Sequence, residues 1–190
     1  QPTDKRLSLR QVFILPGIRP VLFVVLAFVL AHNILYTYIA PYLLTAGMVD
    51  RTDVVLLVFG GTSVAGIWIV GVLIDRYLRR LTLASTILFG AAALTLGMAG
   101  GDPVAIYAAV GAWGLAFGGA ATLFQTALAR SAGDAADIAQ SMLVTAWNAA
   151  IASGGIVGGV LLDRFGVGAF SPALLVLLLA TLLVAWSARD

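Results

Sequence analysis

Of 190 residues, 61% are hydrophobic and only 11% charged, with a mean hydropathy of +1.04; an ordinary soluble domain runs at roughly 45–50% apolar and about 25% charged. This is a membrane composition, and the net charge of +2 is too small to point to nucleic acid. With no cysteine, disulfides and thiolate metal sites are excluded, all nine acids are aspartates, and one histidine, His32, cannot build a multi-histidine metal site. No metal or cofactor is expected.

Residue 1 is Gln and a polar stretch follows it, so the chain is expected to be a processed product or a piece of a longer one. Residues 1–20 set Lys5, Arg6, Arg10 and Arg19 beside Leu7, Leu9, Val12, Phe13 and Ile14. They form either a cytoplasmic linker or an interfacial helix lying along the membrane surface. Residues 21–190 read as a six-helix transmembrane domain. Its apolar runs, Val21 to Leu44, Val54 to Ile74, Leu81 to Ala99, Val104 to Thr126, Ile138 to Leu162 and Ser171 to Ser187, each approach or exceed the roughly 20 residues that cross about 30 Å of hydrocarbon. Short breaks rich in Gly, Asp and Arg separate them. The runs are continuous rather than alternating, which argues against a barrel.

Charge orients the domain. With the amino terminus inside, Lys5, Arg6, Arg10, Arg19, Arg76, Arg79, Arg80, Arg130 and Arg189 fall on the cytoplasmic side, and only Arg51 and Arg164 on the other. That asymmetry predicts cytoplasmic amino and carboxyl termini. Gly71-Val-Leu-Ile-Asp75-Arg76-Tyr77 returns 88 residues later as Gly159-Val-Leu-Leu-Asp163-Arg164-Phe165. Each copy ends the second span of a three-span group. Three is odd, so the copies emerge on opposite sides, and the expected fold is all-α with two inverted three-helix repeats.

The stretch Gly71-x-x-x-Asp75-Arg76-x-x-Arg79-Arg80 resembles the loop motif that the major facilitator superfamily carries between the second and third helices of each six-helix half. His32-Asn33-Ile-Leu-Tyr36-Thr37-Tyr38-Ile39-Ala40-Pro41 is similar to the seventh helix of that superfamily's bacterial drug:proton antiporter branch, which includes sugar and purine-ribonucleoside efflux permeases. Trp113-Gly114-Leu-Ala-Phe-Gly118 resembles the tenth helix. Trp147-Asn148-Ala-Ala-Ile-Ala-Ser-Gly154-Gly155-Ile-Val-Gly158-Gly159 resembles the eleventh. The likeness runs from Pro16 onward and covers helices seven to twelve. It implies half of a proton-coupled antiporter in the bacterial cytoplasmic (inner) membrane, exporting a small organic solute and partnered by an amino-terminal six-helix half or by a second copy of the chain.

Candidate site residues follow from polarity at depth. His32 and Asn33 lie mid-span, with Tyr36 one turn from both and Thr37 one turn from Asn33. Imidazole titrates near pH 6.5, which makes His32 the candidate for proton coupling; the alternative is a neutral histidine bonded to a neighbouring helix. Trp147 and Asn148 offer a stacking face and an amide for the solute, or lipid contact and helix adhesion. Gly71, Asp75, Arg76, Arg79 and Arg80 are read as a gate at one helix end, against a solvated topology-setting loop. Gly114, Gly118, Gly154, Gly155, Gly158 and Gly159 are read as close-packing positions. Pro41 predicts a bend late in the first span. An enzyme is not expected: residue 151 is Ile where a serine hydrolase elbow at Ser153 would carry Gly, and no phosphate-loop motif occurs. The remaining alternatives are a structural or assembly unit inactive alone, and a half-transporter active as a homodimer.

Overall fold

A computed structural model describes residues 7–188, leaving Lys5, Arg6 and Arg189 of the charge pattern outside the described residues. Among the described residues every regular element is helical. A short helix, α1 (Leu9–Phe13), precedes α2 (Ile18–Thr37), α3 (Ile39–Thr45), α4 (Thr52–Met98), α5 (Pro103–Gly118), α6 (Ala120–Ala132), α7 (Ala136–Phe165) and α8 (Phe170–Ser187). With their long apolar runs, these helices make the chain an all-α membrane protein.

Local chemistry sets the boundaries. The hydroxyl of Ser8 accepts from the Gln11 amide while Gln11 Oε1 accepts from the Ser8 amide, a reciprocal cap on α1. Asp102 caps α5 by accepting from the Val104 amide, with Pro103 at the first helical position, where no amide donor is needed. Gly166, at φ 75°, ends α7 in backbone space that side chains disfavour. Pro41 cannot donate to the carbonyl of residue 37, and the helix breaks at Tyr38, so α2 and α3 form one bent pass.

Two continuous helical stretches, of 50 and 63 residues, are far longer than a bilayer is thick. Each reverses direction. Phe59 and Phe89 both belong to α4 and would stand about 45 Å apart along a straight helix at 1.5 Å per residue. Yet their rings lie 4.3 and 6.2 Å from the ring of Trp113. The reversal is at Tyr77, the one residue inside α4 with non-helical dihedrals. Likewise Phe117 in α5 and Phe124 in α6 lie 6.1 and 6.4 Å from Trp147 in α7, across the turn at Gly133–Ala135. Both long stretches therefore fold back on themselves.

Both ends of the bundle are identifiable from contacts. At one, Arg130 Nη2 donates to the Asp75 carbonyl at 3.2 Å and Arg79 Nη2 to the Trp186 carbonyl at 2.7 Å. At the other, Tyr42 Oη donates to the Leu96 carbonyl, Ser171 Oγ donates to the Ala93 carbonyl, and Gly101 abuts Ala46. Asp75-Arg76 belongs to the first end. Asp163-Arg164, just before the Gly166–Ala169 turn that borders the second, belongs to the opposite one. The core between them centres on Phe28, Phe89, Trp113, Ile34, Leu35 and Leu128, all almost fully buried.

Candidate functional site

Helix α2 carries His32 into the bundle's aromatic centre. The imidazole is 8% exposed and stacks on Phe117, with ring centroids 3.4 Å apart and planes 5° from parallel. Tyr36 and Phe59 flank it at 5.4 and 5.7 Å. Trp113 Nε1 donates to His32 Nδ1 at 3.2 Å. An indole N–H is a donor only. Nδ1 must therefore hold its lone pair, so the ring is neutral and its proton sits on Nε2. No buried side-chain N or O among the described residues lacks a partner, and the only hydrogen bond the imidazole makes is at Nδ1.

The rest of the stripe is more exposed. Tyr36 is 46% exposed, Thr37 is exposed and Asn33 half-buried. Both asparagine amides turn back on their own helices: Asn33 Nδ2 donates to the Val29 carbonyl and Asn148 Nδ2 to the Val144 carbonyl, each at 3.0 Å. Each Oδ1 stays available as an acceptor. Asn148 is exposed, and Trp147 is half-buried against Phe117 and Phe124. Phe117 thus joins the two candidate groups, with His32 on one side and Trp147 on the other. Sequence reasoning quoted Trp113 and Phe117 only within the tenth-helix resemblance and gave neither a site role. Their spacing of four puts both on one face of α5, a signal that the flanking Gly114 and Gly118 drew attention away from.

Glycines carry the close approaches. A Cβ on Gly114 would run into the Thr62 hydroxyl and the Phe59 carbonyl, and one on Gly118 into the Ser63 carbonyl. One on Gly154 would meet Asn33 Cβ at 2.5 Å, and one on Gly158 the Tyr38 ring at 2.5 Å. A Cβ on Gly159 would come within 2.9 Å of Tyr38 Oη, whereas Gly155 has open space around it and accepts from Tyr38 Oη through its carbonyl at 2.6 Å. These contacts seat the first limb of α4 on α5, and α2 with α3 on α7.

The Gly71-to-Arg80 segment surrounds the α4 reversal. Gly71 faces open space, and the Asp75 side chain is 98% exposed, with Arg130 Nη2 4.0 Å from its Oδ1. Arg79 reaches the Trp186 carbonyl and also lies over the Trp186 ring, while Arg80 lies over Tyr77. Arg76 makes no ion pair among the described residues. The segment therefore touches the ends of α6 and α8 through Arg130 and Arg79. No group of three metal-ligating side chains occurs among the described residues.

Fold and site together define an all-helical membrane protein whose central helices hold a polar stripe against stacked aromatic rings. No family model matches the chain. It is similar over its whole length to the purine ribonucleoside efflux pumps NepI of Salmonella typhimurium (strain LT2) and of Salmonella typhi, 30% identical over 194 aligned residues in each case. That alignment takes in 100% of this chain and 48% of each pump, so the chain spans about half the length of the curated relatives it matches.

Proposed function

We propose that this chain is one six-helix half of a secondary transporter of the major facilitator type, which exports a small organic solute across a bacterial inner membrane by alternating access and is driven by protons. The observation that carries the reading is full-length similarity to an efflux pump twice as long. Opposite placement of the two Asp-Arg turns supports the inverted-repeat arrangement. The half then requires a second bundle, either an amino-terminal six-helix half or another copy of the chain, to enclose a pathway. By itself it is a membrane unit without transport.

A flat heteroaromatic solute bearing hydroxyls, such as a purine ribonucleoside, suits the stripe. Tyr36 and Trp147 offer ring faces; Asn33 Oδ1, Asn148 Oδ1 and Thr37 offer hydrogen bonds. Proton coupling follows from the Trp113 contact. When His32 takes a second proton, Nδ1 becomes a donor and can no longer accept from Trp113 Nε1. Two N–H groups then face each other, the α2–α5 bond breaks, and the protonated state favours a different packing of these helices. Asp75, Arg76, Arg79, Arg80 and Arg130 serve as a latch at the cytoplasmic end, holding the α4 turn against α6 and α8 in one conformation.

Reconstitution tests the assignment. Proteoliposomes holding this chain with a supplied amino-terminal half should move a purine ribonucleoside when a pH gradient is imposed, and the chain alone should not. Movement by the chain alone would identify a homodimer. Absence of movement in every combination, or movement indifferent to the gradient, would refute the proposal.

A further inference from the structure

At the end of the bundle that holds the α4 reversal lies a cleft of about 970 Å³, walled by the α1–α2 junction, the turn at Tyr77, the end of α6 and the end of α8. Arg76, Arg79, Arg80 and Arg130 line it, all exposed, and among the described residues no carboxylate does. Its floor is apolar: Val24 and Phe124 line it and are 5% and 3% exposed. Trp186, 67% exposed, stands at the same mouth. An exposed tryptophan at a helix end marks headgroup depth in a bilayer. The guanidiniums are only lightly engaged: Arg79 and Arg130 donate to neutral carbonyls, Arg80 lies over a ring, and the single ion pair among the described residues, Arg130 with Asp75, is 4.0 Å long and exposed. Such a pair holds little energy and leaves the donors free for another anion.

We infer that this cleft is a binding site for an anionic phospholipid, its phosphodiester held by the four arginines and its glycerol and upper acyl carbons seated over Val24 and Phe124. Guanidinium forks match phosphate oxygens in geometry as well as charge. A free phosphate would use the rim and leave the apolar floor wet; a lipid fills both. Basic pockets between transmembrane helices are suited to such headgroups. The inference rests on placement in a bilayer and not on the transport reading, so lipid binding without transport would leave it standing.

The test uses the full 190-residue chain in non-ionic detergent, with bound lipid counted by native mass spectrometry against phosphatidylglycerol, phosphatidylcholine and inorganic phosphate. Phosphatidylglycerol should bind at least about tenfold more tightly than phosphatidylcholine. The double variant R76Q/R80Q should weaken it about 30-fold, from about fivefold per arginine lost near the headgroups. R76K/R80K should recover part of the loss, because charge returns without the fork. R51Q/R164Q, at the other end, should bind as the parent does, and unfolding temperatures should agree across the set. Equal affinity for phosphatidylcholine, equal loss in R51Q/R164Q, or displacement of the lipid by an equal concentration of inorganic phosphate would overturn the assignment.

Discussion

Trp113→Phe keeps the aromatic ring that packs on Phe59 and Phe89 but removes the single donor to His32 Nδ1. His32→Leu does the converse, leaving Trp113 Nε1–H facing an apolar shell. Each single variant strands one buried polar atom, a cost of about 1–3 kcal/mol, partly offset because hydrogen bonds between membrane helices contribute only about 0.6 kcal/mol on average and about 1.7 at most. The double variant strands neither atom. A double-mutant cycle should therefore return a coupling energy of about 0.6–1.7 kcal/mol, with the double less damaging than the sum of the singles. Reversible unfolding in mixed micelles titrated with dodecyl sulfate, followed by helical circular dichroism, measures it. Strict additivity would refute the assignment of the Nδ1 contact. His32→Asn sharpens the point, since its Oδ1 can take the place of Nδ1 as acceptor but nothing replaces Nε2. It should keep stability within about 0.5 kcal/mol of the parent, whereas in a complemented transporter both H32N and H32A should abolish efflux with expression intact.

Other outcomes follow from the packing and the helix ends. Gly118→Ala should destabilise by about 1–3 kcal/mol, because the new methyl meets the Ser63 carbonyl and backbone does not yield; Gly155→Ala, in open space, should cost nothing measurable in the same thermal melt. Tyr38→Phe removes the 2.6 Å bond to the Gly155 carbonyl and should lower stability by about 0.6 kcal/mol, up to about 1.7. Asp75→Asn and Arg130→Gln should leave the melting temperature unchanged, since the pair is exposed, while slowing efflux in a complemented transporter; a fall in melting temperature without an effect on efflux would make the pair structural. The chain has no cysteine, so D75C and R164C can be labelled separately in sealed vesicles. They should react from opposite sides, and labelling from the same side would defeat the topology.

Helical class was legible because it rests on composition and run length, which depend on no partner. The bend before Pro41 was legible for the same reason: a missing amide donor acts locally. The reversal at Tyr77 falls in the break between the second and third apolar runs, Ile74 to Leu81, although nothing in tyrosine's own chemistry breaks a helix; Phe59 and Phe89, on the two limbs, pack on the same tryptophan. His32 shows the limit most clearly. Its depth could be counted from the ends of the run, but the alternatives of cavity lining and a bonded, packed imidazole could not be separated by counting. In the structure Nδ1 accepts from Trp113, the bonded arrangement that counting could not reveal. Among the glycines, spacing could not distinguish Gly154 from Gly155, because only the neighbouring helix decides which of two adjacent positions it touches.

Why the polar stripe sits on α2 and not elsewhere follows from unequal burial. In its most apolar window α2 is 61% buried, against 17% for the Val49–Met98 stretch and 22% for Val167–Ser187. Lipid surrounds the outer helices, and a polar side chain facing it costs several kcal/mol without a partner. Helix α2 is the most buried of these, and a neighbour supplies His32 with a partner, the Trp113 indole, while Asn33 bonds within its own helix with Gly154 of α7 packed on its Cβ. The same crowding that makes these groups tolerable ties their bonds to helix positions. On the proposed coupling, a proton gained or lost at His32 would change a contact between two helices rather than a solvated side chain, which is what would separate a site that drives motion from one that only binds. If H32N and W113F left efflux and its pH dependence untouched, that link between protonation and packing would fail even with the fold intact.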